Sequence, residues 1–334
     1  MPHVSPFDPD IGGRASLAEY AALVLASRAV DWPDGGPRRT AEMIIRRMCD
    51  PDPGEGERLR WAAHLDGRMA GFMMVIIPEN GGVGSVEITV HPECRGHGVG
   101  TALLRTVLSV LQDHGCAAIE GWWIAADGVG EQWARKRGFR RTHATVAQVL
   151  SLPDVDVSGW AAETPAGYRT VEWVNHAPEE LVESYAAARR AIEDAPLGAA
   201  AFESPDWTVE RIRRIEAEQA QLGVEQHVVV AVHEESGAVV GFTEIELYAA
   251  SKDLAHQFDT AVLPAHRGHG LGRHVKARMA ERLRSERPEI AWISTSTGAE
   301  NAHMIRVNTA LGFVVSHTMV VLTGEVEVIS RRLG

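Results

Sequence analysis

The chain has 334 residues, 45% of them hydrophobic and 23% charged, which fits two globular domains each able to bury its own core. Its formal net charge of −12 argues against nucleic acid or an anionic membrane surface as the main partner, because phosphate-rich partners are held by clustered Lys and Arg. Three scattered cysteines, Cys49, Cys94 and Cys116, lack paired spacing and point to a reducing compartment without disulfides. Asp8 and Asp10 stand where a basic leader would be, and no apolar run reaches the roughly 20 residues that span a bilayer; the expected location is cytoplasmic, with no membrane partner.

In chain order, periodicity predicts helices over Leu17–Val30 and Arg39–Met48, then strands near Arg58–Leu65, Arg68–Ile77 and Val83–Val90, the first two joined by an Asp66-Gly67 turn. No good strand precedes Leu17. A glycine turn, a helix over Val99–Asp113, a strand over Ala117–Ile124, a short helix over Val129–Lys136 and a strand from Phe139 complete the half. Ser151–Thr164, with Pro153 and Gly159, lacks periodicity and reads as a linker. The same order then returns: a strand near Tyr168–Trp173, helices over Pro178–Asp194 and Thr208–Gln221, strands over Gln226–His233, Val239–Leu247 and Gln257–Val262, a helix over Leu271–Ser285, a strand over Ile290–Thr295, a helix over Asn301–Leu311 and a strand from Phe313. The expected domains are 1–150 and 166–334, joined by a linker over 151–165. Trp122, Trp123 and Trp133 are expected in packing roles.

Landmarks repeat in step. Arg95-Gly96-His97-Gly98-Val99-Gly100 returns as Arg267-Gly268-His269-Gly270-Leu271-Gly272, a spacing of 267 − 95 = 172. Gly71-Phe72 pairs with Gly241-Phe242, and Gly138-Phe139 with Gly312-Phe313. A glycine-rich bend from strand to helix leaves several N–H groups aimed at one point, where the helix dipole also favours an anion. Arg95 and Arg267 add positive charge. Neither copy has the Gly-Lys-Ser/Thr of a Walker loop, and both lie mid-domain rather than after a first strand, which disfavours nucleoside triphosphates and nicotinamide dinucleotides. Cys94-x-x-His97 has metal-like spacing but no second ligand pair, so no metal is expected.

Each half resembles a GCN5-related N-acetyltransferase (GNAT) domain, whose signature is Arg/Gln-x-x-Gly-x-Gly/Ala after the fourth strand; the likeness covers essentially the whole chain and matches tandem members of that family from actinobacteria. It implies a mixed α/β fold, a bent sheet flanked by helices in each of two domains, with acetyl-coenzyme A as cofactor. The backbone of Arg95–Thr101 (Arg95, Gly96, His97, Gly98, Val99, Gly100, Thr101) and of Arg267–Arg273 (Arg267, Gly268, His269, Gly270, Leu271, Gly272, Arg273) would cradle its pyrophosphate. Val90 and His91, with Val262 and Leu263, would pair with pantetheine as an added strand, their N–H groups facing the thioester oxygen. Asn301 matches the family's coenzyme-contacting Asn, where the first half has Asp127. The position of the family's general-acid Tyr falls at Asn308 and Ala134, neither of which replaces its phenol.

An amine is protonated near neutrality, so a base is useful. Asp259 and Glu87, each eight residues before the turn Arg, are the candidates; His256 and His266 are weaker ones. Glu244, Glu246 and Tyr248 alternate on one strand face and could line an acidic pocket for a cationic amine, or form an ordinary polar face. The leading reading is transfer of acetyl to a small-molecule amine, with the second domain catalytic and the first binding cofactor or degenerate. The alternatives are a non-catalytic acyl-coenzyme A sensor and transfer of a larger acyl group. The expected assembly is a monomer with an internal pseudo-dimer, a homodimer being the other option.

Overall fold

The computed structural model describes residues 1–33, 37, 39–49, 56–78, 82–157, 160, 163–194 and 206–333. The chain folds into two compact units: unit 1, Met1–Thr145 with His317–Gly334, and unit 2, Val146–Ser316.

Unit 1 opens with β1 (His3–Pro6) and α1 (Pro9–Asp31), followed by α2 (Ala41–Cys49), β2 (Glu57–Leu65), β3 (Arg68–Ile77) and β4 (Gly82–Val90). The Asp66-Gly67 turn has φ values of 52° and 78°, the doubly left-handed geometry of a tight hairpin. Then come α3 (Val99–Asp113), β5 (Cys116–Ala125), α4 (Val129–Arg135) and the start of β6 (Arg140–Ser151). β1 to β4 pair antiparallel, β4 runs parallel to β5, and β5 pairs antiparallel with Met319–Glu325 near the end of the chain. Leu103, Leu104, Val107 and Leu111 of α3 fill the core on one face, joined by Val326, Ile329 and Leu333 of the final helix. Leu23 of α1 and Met48 of α2 pack with Phe72 on the other.

Unit 2 contains the end of β6, then β7 (Tyr168–Val174), α5 (Glu179–Arg189), α6 (Val209–Leu222), β8 (Val224–His233), β9 (Val239–Tyr248), β10 (Leu254–Val262), α7 (Leu271–Glu286), β11 (Trp292–Gly298), α8 (Ala302–Ala310) and the start of β12 (Val314–Glu325). The chain ends in α9 (Val326–Leu333) of unit 1. The sheet runs β7-β8-β9-β10-β11, antiparallel except for the parallel β10/β11 pair. Val228–Val232 of β8 are wholly buried, since α7 covers one face of the sheet and α5 and α6 the other.

Four features differ from the sequence-based expectation. A first strand, β1, does precede α1; four residues ending in Pro6 are too short for a periodic signal. The units are not contiguous halves: residues 317–334 complete unit 1, and Val146–Ser151 of β6 belong to unit 2. In the expected linker, Leu152 and Trp160 are buried in unit 2's core with Val155 and Val157 against it, while Gly159 and positions 158, 161 and 162 lie outside the described residues. Trp123 is 46% exposed with φ 60° rather than packed.

Candidate active site

The two glycine turns fold alike. After β4 comes a short 3₁₀ turn, Pro92–Cys94, and after β10 another, Pro264–His266. Gly96 and Gly98 have φ of 79° and 83°, and Gly268 and Gly270 of 84° and 77°, a left-handed geometry that side chains resist. A Cβ built on any of the four meets no atom within 4 Å. Gly98 and Gly270 are the N-caps of α3 and α7, and neither helix receives a side-chain capping bond. Val99 and Leu271 are buried behind these ends. Each turn is thus a helix start without a side-chain cap and with open space at the Cβ positions of its glycines, a shape that fits a pyrophosphate.

The turns differ in their side chains. Arg95 points back to α1, where Nη1 and Nη2 donate to the two Asp31 carboxylate oxygens at 2.8 Å each and Nη2 also donates to Ser27 Oγ at 3.0 Å. Its charge is neutralised within the protein, against the expectation that it would serve an anion. The Thr101 hydroxyl accepts from Arg137 Nη2 at 3.0 Å, and that guanidinium stacks on Trp133 at 4.3 Å. In unit 2, Arg267 Nε donates to the carbonyl of Val262 at 3.0 Å, and Arg273 is exposed on the first turn of α7.

The strands leading into the turns differ as well. β10 pairs with β9 through Gln257↔Ile245 and resumes at Thr260↔Thr243, so Phe258 and Asp259 bulge opposite Glu244. Its parallel ladder with β11 covers only Leu254↔Trp292, Ala255↔Ile293 and His256↔Ser294. From the bulge onward that side of β10 is open among the described residues. In unit 1, β4 pairs regularly with β3, with Glu87 half-buried opposite Met74, and its ladder with β5 continues to Val86↔Gly121. Val86 corresponds to Phe258 through the 172-residue spacing, so the opening in unit 1 is two residues shorter.

His91 N–H donates to Ala70 O at 2.9 Å and Leu263 N–H to Val240 O at 2.8 Å. These two amides are engaged in the sheet, which corrects the expectation that they face a thioester. Strand alternation turns the N–H groups of Val90 and Val262 toward the open side.

Glu244, Glu246, Tyr248 and Asp259 gather on the α5/α6 side of unit 2, around a residue that sequence reasoning missed. Arg189 of α5 is 8% exposed; Nη1 pairs with Glu244 and donates to Tyr185 Oη at 3.2 Å, and Nη2 donates to Asp259 Oδ2 at 3.0 Å. Its guanidinium lies 3.7 Å over Trp207. Tyr185 donates to Glu244, and burial raises its phenol above the ordinary range. The available signal was Arg189 four residues after Tyr185 and eight after Leu181, on the buried face of an Ala-rich helix.

Asp259 is 36% exposed. Burial raises its carboxyl above the ordinary value, and the charge and hydrogen bond of Arg189 only partly oppose this. Burial likewise raises Glu246, whose carboxylate accepts from Gln219 Nε2 at 2.7 Å and from Tyr248. His256 stands opposite Glu246 in the ladder, edge-on to the Tyr248 ring at 5.5 Å, with Nδ1 3.2 Å from Ser294 Oγ.

Asn301 caps α8, its Oδ1 accepting from Met304 N–H at 3.1 Å. Asn308 is wholly buried, and its amide donates to Gln148 Oε1 at 2.9 Å; with no titratable proton, it fills the place of the family's acid as a packing residue. Asp127 is paired with Arg141 at 2.9 Å, beside the buried Glu131. Cys94 and Cys116 are free thiols, and no group of three or more His, Cys, Asp or Glu among the described residues is placed to hold a metal. No helix among the described residues is long and apolar enough to cross a membrane.

The model of the acetyltransferase (GNAT) family matches residues 23–131 and 187–313. The chain belongs to this family, with two of its domains in tandem. It is similar to the mycothiol acetyltransferases of Mycolicibacterium vanbaalenii, 24% identical over 87% of this chain and 96% of that one, and of Nocardiopsis dassonvillei, 25% identical over 94% of each. Among solved structures it shares its fold with a tandem GNAT protein from the clavulanic acid biosynthesis pathway, at TM-score 0.76 and 24% identity over 98% of this chain and 99% of that one. A GCN5-related N-acetyltransferase from Sphaerobacter thermophilus matches at TM-score 0.73 and 21% identity, over 97% and 96%. The enzyme class and the mixed α/β tandem fold expected from the sequence stand on these matches.

Proposed function

We propose that this enzyme uses acetyl-coenzyme A to acetylate a small-molecule amine, and that unit 2 carries the reaction. The observation that carries this reading is the conjunction in unit 2 of an uncapped glycine turn, a strand edge opened at its bulge, and a half-exposed Asp259 at that opening. Bound acetyl-coenzyme A supplies the acetyl thioester. The N–H groups around Gly268 to Gly272 hold its pyrophosphate, and the open edge of β10 over Thr260 to Val262 receives pantetheine as an added strand.

The acceptor approaches from the side of Glu244, Glu246 and Asp259. The three carboxylates gathered around the Arg189 guanidinium favour a cationic amine. Asp259 takes the ammonium proton, directly or through one water, because its raised carboxyl lies closer to the pKa of the amine than an exposed Asp would. The freed nitrogen forms the new C–N bond, the C–S bond breaks and the sulfur leaves as thiolate; the second proton, shed by the attacking nitrogen as it becomes an amide, goes to that thiolate directly or through water. No phenol is required for that last step, since a thiol of pKa about 8.5 is a far better leaving group than an alcohol.

Unit 1 keeps the turn but has a shorter opening at its strand edge, which supports a cofactor-binding or degenerate role. The expected assembly remains a monomer. Calorimetry with acetyl-coenzyme A tests cofactor use: absence of binding overturns the proposal. With binding established, Asp259→Asn is expected to lower kcat about 10²- to 10⁴-fold with KM for the coenzyme unchanged. The wild-type rate should fall on the acid side with an apparent pKa above the usual carboxylate range, and loss of that limb in the variant identifies its source.

A further inference from the structure

Four rings meet beside the glycine turn of unit 2. Tyr168, the first residue of β7, lies 5.6 Å from His233 at the end of β8, 5.7 Å from His266 and 5.8 Å from His269, ring centre to ring centre, and His233 and His266 are 5.0 Å apart. His266 ends the 3₁₀ turn that precedes the glycine turn, and His269 lies within the glycine turn. Tyr168 is buried, His233 and His266 are half-buried, and His269 is exposed.

Two of these imidazoles are oriented by hydroxyls. His266 Nδ1 is 3.0 Å from Tyr168 Oη, and His233 Nδ1 is 3.1 Å from Ser236 Oγ. With each hydroxyl as donor, Nε2 keeps its hydrogen, and both rings become donors even when neutral. Crowding has a cost: burial first, then the charges of His233 and His269, push His266 below its ordinary value. A dianion among them would reverse that repulsion.

The surrounding elements contribute other polar groups. The β8–β9 hairpin carries exposed Glu234 and Glu235 beyond His233, the turn carries Arg267, and His274 of α7 is buried with Nε2 2.8 Å from Thr170 Oγ1.

We infer that Tyr168, His233, His266 and His269 form a subsite for a phosphate monoester, the one on the ribose of coenzyme A, next to the pyrophosphate turn. The inference rests on the cofactor reading above and adds to it a second phosphate contact with its own chemistry. A phosphate monoester offers only acceptors around neutrality, which suits donors that gain charge as pH falls. Unit 1 keeps His97 in place of His269 but has Cys94 in place of His266 (266 − 94 = 172), so the selectivity belongs to unit 2.

The test compares binding of coenzyme A and 3′-dephospho-coenzyme A to the full chain by calorimetry at about pH 6. The wild type is expected to prefer coenzyme A by about tenfold or more, the worth of one charge-assisted hydrogen bond. His233→Gln and His266→Gln should each reduce that preference several-fold while leaving the affinity for the dephospho form unchanged, which also reports that the variants are folded. Equal affinities for both ligands in the wild type overturn the subsite and leave the cofactor reading standing. Failure of both ligands to bind overturns the cofactor reading and the subsite together. A preference that persists undiminished in both variants places the phosphate elsewhere and overturns the subsite alone.

Discussion

Replacing Lys276 by methionine should stabilise this protein, and by more at neutral pH than at alkaline pH. Lys276 lies on α7 of unit 2, 3% exposed, with its ammonium 5.3 Å from the centre of the Phe313 ring. Burial lowers its pKa from 10.5 to about 7. The difference, 10.5 − 7 = 3.5 units at about 1.36 kcal/mol each, amounts to about 5 kcal/mol of penalty on the charged form. Below pH 7 both folded and unfolded chains carry the proton and the penalty is complete; between pH 7 and 10.5 the folded amine is neutral while the unfolded one is still charged, so the penalty declines as pH rises. Linkage puts that relief at about 2 kcal/mol between pH 7 and 9.

Methionine has nearly the same volume, keeps the apolar stem and places sulfur near an aromatic ring. The lost cation–π contact offsets about 1 to 2 kcal/mol. The expected net gain for Lys276→Met at pH 7 is about 2 to 4 kcal/mol, a rise in Tm of about 5 to 10 °C. Thermal melts of both proteins at neutral and alkaline pH measure it: the curves should converge as pH rises. A less stable variant, or a stability difference that does not change with pH, would refute the burial argument.

Arg189→Met leaves Glu244 buried without its cation and should cost about 3 to 5 kcal/mol in urea unfolding, with much of that recovered in the Arg189→Met/Glu244→Gln double variant. A double variant no more stable than the single one would show that the charge pair is not what Arg189 supports. Gly270→Val should abolish coenzyme binding to unit 2 in calorimetry, since it places a branched side chain at φ 77° in the open space beside the start of α7; the corresponding Gly98→Val should leave turnover intact if unit 2 is the catalytic one. Asn301→Ala should cost about 1 kcal/mol of stability through loss of the α8 cap, read in the same melts.

The features legible in the sequence are those that backbone geometry writes locally. Glycine at 96, 98, 268 and 270 announces left-handed residues at a strand-to-helix bend, and all four have that geometry. Asp259 stood out by its place before the turn, and the structure sets it at the opening of β10. Properties decided by distant partners were not legible. Arg189 is set by Trp207 and by carboxylates 55 and 70 residues away, and nothing in the alanine-rich run around it carries a motif. The bulge at Asp259 depends on the register of β10 against β9, which hydrophobic alternation alone does not fix. The placement of the C-terminal strand and helix in unit 1 depends on which sheet edge the chain meets last, and α9 is too short to rise above the strand signal that precedes it. Asn301 was read as a ligand contact and serves at least as a helix cap, two uses that the same residue type satisfies.

A crystal structure with acetyl-coenzyme A bound is the decisive measurement for the proposed function. The pyrophosphate is expected against the amides of Gly268 to Gly272, pantetheine along Thr260 to Val262, and the acetyl group at the opening beside Asp259. A ligand seated away from both glycine turns, or a thioester ending on the far side of the sheet from Asp259, would contradict it.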